Sequence, residues 1–81
     1  MPIIAEFKGI KIYMNYQLDE HNPPHVHGVY DSKRCSVSLT GEVLEKGKFP
    51  SKMLKEVVNF VINHSEQLKE MWEKQAFSKI K

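Results

Sequence analysis

Histidines are concentrated in one short segment of the chain. Residues 19–27 read Asp-Glu-His-Asn-Pro-Pro-His-Val-His and contain three of the four histidines. His25 and His27 are two residues apart, so on a β-strand their rings would project from one face, about 6.6 Å apart along the strand. Two imidazoles at that spacing can ligate one metal ion, or can act together as general acid and base. This segment is therefore the candidate functional site.

The residues before this histidine pair could complete a metal site. Two consecutive prolines stiffen the approach to the pair, and they hold His21 at a set distance from it. His21 is accordingly a candidate third ligand beside His25 and His27. Asp19 or Glu20 could also ligate, or could accept the second ring N–H of a ligating histidine. Imidazoles with one carboxylate suit zinc, iron or nickel better than calcium or magnesium.

A purely structural role is the alternative for these histidines. Their rings could pack on the sheet and bond to backbone carbonyls without any ion. Cys35 is the only cysteine, which excludes a closed site built from paired cysteines. The fourth histidine, His64, lies near the end of a predicted helix, where its ring is expected to bond to the last carbonyls. A role for His64 as a further ligand or catalytic partner is the other possibility.

The elements that must position these side chains begin with short strands. Up to residue 47, apolar residues recur at every second position, as in Cys35, Val37 and Leu39, which predicts strands with one buried face. Gly9, the segment 31–33 and the segment 40–42 are expected to form turns. A last short strand is expected around Val43 and Leu44. Residues 1–47 therefore predict a small antiparallel sheet of four to five strands.

From Ser51 the apolar spacing changes to that of an α-helix. Ser51 is the expected N-cap of the first helix. A second helix is predicted after a boundary near residues 63–65, where Asn63 or Ser65 would be the cap; one bent helix is the alternative. The apolar stripes of the two helices over residues 51–78 consist of Leu54, Val57, Val58, Val61 and Ile62, and then of Leu68, Met71, Trp72 and Ala76.

Strands followed by helices predict an α+β domain, with both helices packed on one face of the sheet. The chain has 81 residues, so residues 1–81 are expected to form a single domain. The whole stripe of the first helix is expected to be covered by the sheet face that contains Ile12, Met14, Val37 and Leu39.

Composition excludes several classes of function. The chain is 41% hydrophobic and 27% charged, as in ordinary soluble domains, and no apolar run approaches the roughly 18 residues that cross a bilayer. Its net charge of +2 gives only weak support for nucleic-acid binding. One cysteine and a start without a signal-peptide pattern predict a cytoplasmic protein.

Several segments together resemble one known family. The start MPIIAEF, then DEHNPPHVH, TGEVLEKGKFP and NHSEQLKEMW, is similar to the uncharacterised prokaryotic family called domain of unknown function 4160. The hairpin tip Lys33-Arg34-Cys35 departs from the family pattern, which is usually smaller or more acidic there. The resemblance extends over nearly the whole chain, and the positions that match the pattern include His21, Pro23, Pro24, His25, His27, Gly41, Glu42 and His64.

This resemblance implies a small cytoplasmic protein but no established catalytic residue. Members are often encoded beside another small uncharacterised domain, an arrangement that suggests a two-component, toxin–antitoxin-like pair. The implied partner is therefore a small neighbour-encoded protein, and the other expected partner is a second copy of the chain.

Two functions from different classes remain from the sequence. The first is a binding module, whose histidine loop and exposed sheet edge form a protein interface. The second is a metal-dependent hydrolase or nuclease-like toxin that uses the same histidines with zinc, iron or nickel. A short chain with exposed strand edges gains most by covering them, and the sequence has no nucleophile elbow, phosphate-binding glycine loop or paired-carboxylate motif. The sequence therefore favours the binding module.

Overall fold

Five strands are followed by two helices in the computed structural model, which describes residues 3–14, 24–74, 76 and 80. Neighbouring strands are antiparallel, and their order across the sheet is their order in the chain. The predicted α+β class is therefore confirmed. The elements are β1 (Ile3–Phe7), β2 (Ile10–Tyr13), β3 (His25–Tyr30), β4 (Lys33–Ser38), β5 (Val43–Glu45), α1 (Ser51–Asn63) and α2 (Ser65–Lys74).

Two-residue turns set the register of the β1–β2 and β3–β4 hairpins. Lys8 and Gly9 join β1 to β2 with φ of 50° and 78°, and Asp31 and Ser32 join β3 to β4 with φ of 48° and 67°. Positive φ at both central residues is the type I′ geometry, whose twist matches that of the flanking strands. The turns predicted at Gly9 and at residues 31–33 are confirmed, except that Lys33 is already the first residue of β4.

The turn between β4 and β5 is held by Ser38. The backbone N–H of Ser38 donates to the carbonyl of Glu42 at 2.8 Å, and the Ser38 hydroxyl accepts the N–H of Glu42 at 3.1 Å. Gly41 has φ of 93°, and a Cβ at this position would lie 2.9 Å from Cγ1 of Ile62. Both the backbone conformation and the close approach of α1 therefore require glycine at residue 41.

The core lies between one face of the sheet and the helices. Val57 of α1 comes so near β3 that a Cβ on Gly28 would lie 3.3 Å from its Cγ2. The buried apolar side chains are Ile4, Ala5, Ile10, Ile12, Met14, Val26, Cys35, Val37, Leu39, Phe49, Val57, Val61, Leu68, Met71, Trp72 and Ile80. All four residues predicted to line the covered face are among them.

The apolar stripe of α1 is only partly covered, contrary to the prediction that all five of its residues are core. Val57 and Val61 are fully buried, whereas Leu54 and Val58 are half-buried and Ile62 is 54% exposed. The reason is that the sheet is small at the edge formed by β5. β5 has three residues, and no strand in the described part of the chain lies beyond it to cover the outer side of α1.

The helix boundaries differ from the predicted caps. Ser51 is the first residue of α1 and not its N-cap; Pro50 is the N-cap, and its carbonyl accepts the N–H of Leu54 at 2.8 Å. Asn63 ends α1 and Ser65 begins α2. His64 lies between them because its φ of −120° and ψ of 23° are not helical, although its N–H donates to the Phe60 carbonyl at 3.1 Å and its own carbonyl accepts the N–H of Leu68 at 2.9 Å.

The two edges of the sheet differ in their surroundings. At the β1 edge, the N–H of Ile80 donates to the carbonyl of Ile4 at 2.6 Å. At the β5 edge, no strand within residues 3–14 and 24–74 pairs with the outer side. Neither described helix has the length and apolar character needed to cross a membrane.

The contrast between Val57 and Ile62 gives a stability prediction. Val57→Ala should lower the free energy of unfolding by about 2–3 kcal/mol, because it removes two buried methyl groups and leaves a cavity under Gly28. The matched control is Ile62→Ala, since Ile62 lies on the same helix but is 54% exposed. This change should alter the free energy of unfolding by about 0.5 kcal/mol or less. Urea denaturation followed by circular dichroism measures both; equal losses would contradict the placement of α1.

Candidate functional site

His25 and His27, here called the histidine pair, lie on β3 with both rings on the same face of the sheet. Val26 and Gly28 alternate with them and point to the core, so the pair lies on the face opposite α1. The ring centroids are 4.8 Å apart and the ring planes are inclined by 79°, an edge-to-face contact. The two-residue spacing therefore brings the rings together as expected.

His27 is oriented by the neighbouring strand. Its partner in the β3–β4 register is Ser36, and the Ser36 hydroxyl lies 3.2 Å from Nδ1 of His27 in a hydrogen bond. On the other side, Tyr13 of β2 is the register partner of His27. The ring is half-buried, and its Nδ1 is engaged by this hydrogen bond.

His25 is enclosed much more than His27. Only 6% of its surface is exposed, and its ring centroid lies 6.2 Å from that of Trp72 in α2. Trp72 is itself buried, as predicted from its place in the helix stripe. Ser38, the register partner of His25, is also buried, and its hydroxyl bonds to that of Thr40 at 2.8 Å. His25 therefore occupies the more restricted half of the pair.

His64 is placed apart from the pair in a capping arrangement. Its Nδ1 donates a hydrogen bond to the Phe60 carbonyl at 2.9 Å, as expected for a histidine at the end of a helix. Its ring lies 4.5 Å from the Phe60 ring, which in turn stacks on Phe7 at 5.2 Å. These contacts join the end of α1 to β1.

Two of the three predicted histidine ligands, His25 and His27, lie within the described residues. Two imidazoles on one tetrahedral zinc ion have centroids about 5 Å apart, close to the observed 4.8 Å. Asp19, Glu20 and His21, the other predicted ligands, lie outside the described residues. Within residues 3–14, 24–74, 76 and 80, no three His, Cys, Asp or Glu side chains are grouped as a metal site.

Cys35 lies on the core side of β4 and has different chemistry from the pair. Burial raises the pKa of its thiol from the ordinary value of 9.0 to about 11, partly offset by a hydrogen bond with the backbone of Gly28. The thiol is therefore protonated at neutral pH. A protonated, buried thiol is a weak nucleophile and a poor metal ligand.

A second surface, which the sequence analysis did not identify, lies beside β5. Val43 and Leu44 are 40% and 39% exposed, and with Ile62 they are the exposed large hydrophobic residues of the described chain. Val43, Leu54 and Val58 line a groove of about 350 Å³ between β5 and α1. Val58 and Ile62 both approach the Cβ position of Gly41, so Val43, Leu54, Val58 and Ile62 form one β5–α1 surface.

The charged residues at this groove have one sign. Lys46 and Lys55 line it, its other polar lining residues are uncharged, and no described carboxylate lines it. A signal for this surface was present in the sequence. Leu54, Val58 and Ile62 are spaced by four along one side of α1, beside Val57 and Val61. A stripe that wide needs more cover than a three-residue strand can provide.

The raised pKa of Cys35 gives a reactivity prediction. Because the folded-state pKa of about 11 lies above the unfolded value of 9.0, the thiolate fraction at pH 8 should be about 100-fold lower in the folded protein. The same shift means that the contribution of the Cys35 thiol to the free energy of unfolding is present below pH 9 and is lost as pH rises through 11. Reaction with an aromatic disulfide at pH 8 should be at least about 100-fold slower than in urea. Equal rates would contradict the burial of Cys35.

Comparison with known proteins identifies one match. The sequence pattern of the family described as Domain of unknown function (DUF4160) matches residues 9–73. The matched range includes the histidine pair, the β5–α1 surface and all but the last residue of α2. No curated protein and no solved structure matches the chain. The resemblance found in the sequence is confirmed by the family match.

Proposed function

The chain belongs to the family of domain of unknown function 4160, and from this premise we propose that it is a protein-binding domain. Its partner in this proposal is a small protein encoded beside it, and the two form a toxin–antitoxin-like pair in the cytoplasm. The observation that supports binding most strongly is the β5–α1 surface, where Val43 and Ile62 are exposed and both lie close to Val58.

The exposed apolar side chains of the β5–α1 surface support binding because they are clustered. Single exposed apolar side chains are normal on a soluble protein, but a contiguous patch rimmed by polar residues is typical of an interaction site. Here the patch includes the edge strand β5, whose outer side is not paired by any described strand. Unpaired N–H and C=O groups on such an edge favour the addition of another chain.

The histidine pair fits a binding role on the opposite face of the sheet. His27 is half-buried beside Ser36 and Tyr13, and the cross-strand neighbours Lys11 and Glu6 further along this face are exposed. A half-buried imidazole between two polar side chains can donate or accept a hydrogen bond at an interface. Catalysis has less support, because His25 is nearly enclosed and the Cys35 thiol is protonated.

Removal of the exposed side chains tests the binding proposal. Val43→Ser/Leu44→Ser should weaken the complex with the co-expressed product of the adjacent gene at least about tenfold, because exposed apolar anchors dominate interface energies. The melting temperature should change little, since both side chains are substantially exposed. Affinity is measured by calorimetry on purified, tag-free proteins.

Lys69→Ser on the exposed side of α2 is the control and should leave this affinity unchanged. Light scattering over a concentration series shows whether a second copy binds instead. A protein that stays monomeric and forms no complex with the adjacent gene product would overturn the proposed function.

A metal-dependent hydrolase or nuclease-like toxin is the second candidate function. It is favoured by one observation, the 4.8 Å separation of the His25 and His27 rings on one face. In this candidate His25, His27 and His21 are the ligands, with Asp19 or Glu20 as a further ligand or as the partner of a ligating ring. The ion would be zinc, iron or nickel, which prefer imidazole nitrogen.

Calorimetric titration of chelator-stripped protein with zinc, nickel and iron(II) tests this candidate. If the histidine pair binds an ion, His27→Ala should weaken zinc binding at least about tenfold, and binding should release protons because the ligands must be neutral. His64→Ala is the matched control, since that ring bonds to the Phe60 carbonyl. No micromolar binding of any of the three ions by folded protein would end the metal candidate.

A further inference from the structure

We propose that the groove between β5 and α1 binds an extended segment of the partner in which apolar and acidic residues alternate. This inference rests on the proposed function and adds the chemistry of the bound segment. It follows from three properties of the groove, which are its apolar floor, the sign of its charges and the outer edge of β5, which no described strand covers.

The apolar floor of the groove has room for a few side chains but not for a whole helix or strand. Val43, Leu54 and Val58 line a volume of about 350 Å³, near the lower end of the roughly 300–1,000 Å³ of ligand pockets. Such a volume suits a few apolar side chains anchored from an extended backbone. Ile62, which approaches Gly41 beside Val58, extends the apolar surface beyond the groove.

The charges of the groove favour an acidic partner. Lys46, just after β5, and Lys55 of α1 both line it, and neither has a described carboxylate partner among its lining residues. Glu56, the next residue of α1, bonds to Lys8 at 2.9 Å. Carboxylates on an incoming segment could therefore pair with Lys46 and Lys55 without displacing an existing ion pair.

The outer edge of β5, with which no described strand pairs, favours an extended backbone. Extended segments bind to exposed sheet edges through main-chain hydrogen bonds, and alternate side chains then reach the neighbouring pockets. β5 is only three residues long, and its register against β4 shifts by one residue at Leu44. The main-chain pairing is therefore short, so the apolar anchors and the lysines must supply most of the selectivity.

A second copy of the chain fits the groove less well than an acidic partner. A two-fold dimer places the same patch of both copies face to face. Here that arrangement would bring Lys46 and Lys55 of one copy near the same lysines of the other, and like charges at an interface oppose association.

Binding of model peptides to the isotope-labelled full chain tests the inference. The probes are a blocked six-residue peptide of alternating Glu and Leu and its counterpart of alternating Lys and Leu. We expect the acidic peptide to bind at least about tenfold more tightly, with amide shift changes centred on β5 and the first half of α1. Equal binding of the two peptides, no binding at millimolar concentration, or shift changes confined to the face with His27 would each overturn the inference.

Charge reversal supplies the matched variants. Lys46→Glu/Lys55→Glu should reverse the preference, so that the basic peptide binds more tightly. Lys11→Glu/Lys69→Glu changes the net charge equally at exposed positions outside the groove and should keep the preference for the acidic peptide. An unchanged preference in the first variant would overturn the inference.

Failure of this inference can be separated from failure of the proposed function. If Lys46→Glu/Lys55→Glu binds the adjacent gene product as tightly as the wild type, the inference fails while the proposed function stands. If the wild type forms neither that complex nor a dimer, the proposed function itself fails. A dimer whose interface shifts map to β5 would overturn the acidic-partner inference and leave a second copy as the occupant.

Discussion

The packing of α1 against Gly28 determines which face of β3 points to the core. Val57 approaches so closely that any side chain at residue 28 would have to displace it or the Cys35 sulfur. Because side chains alternate across a strand, the burial of Val26 and Gly28 places both residues of the histidine pair on the opposite face. A shift of one residue in the register of β3 would bury the histidines against α1 and expose the core, so this one contact specifies the position of the candidate site.

The surroundings of the pair then follow from the hairpin and from α2. The two-residue turn at Asp31 and Ser32 places Ser36 opposite His27, where its hydroxyl bonds to the ring. The helical conformation is interrupted at His64, where φ is −120° and ψ is 23°, and α2 then places Trp72 beside His25. The two histidines are thus equivalent by spacing but not by environment, since one is enclosed by an aromatic ring and the other lies between polar side chains.

The same geometry explains why an apolar surface remains beside β5. Val57 and Val61 of α1 are buried against the sheet, but the apolar stripe of α1 is wider than the three residues of β5 can cover. The result is a fold whose two distinctive surfaces, the histidine face and the β5–α1 surface, lie on different sides of the sheet. A binding domain can use them independently, because neither shares a side chain with the other.

Local patterns in the sequence determined the fold class, the hairpin turns and the pairing of His25 with His27 on one face. Each depends on interactions between residues close in the chain, such as the alternation of a strand or the positive φ of a two-residue turn. Tertiary structure alone decided that Ile62 is exposed while Val61 is buried. It also decided that Trp72 lies beside His25, and that Lys46 and Lys55 line the same groove. Those outcomes depend on where the sheet ends beneath α1 and on the break between α1 and α2 at His64. Both arise from packing between distant segments, which no spacing within one segment encodes.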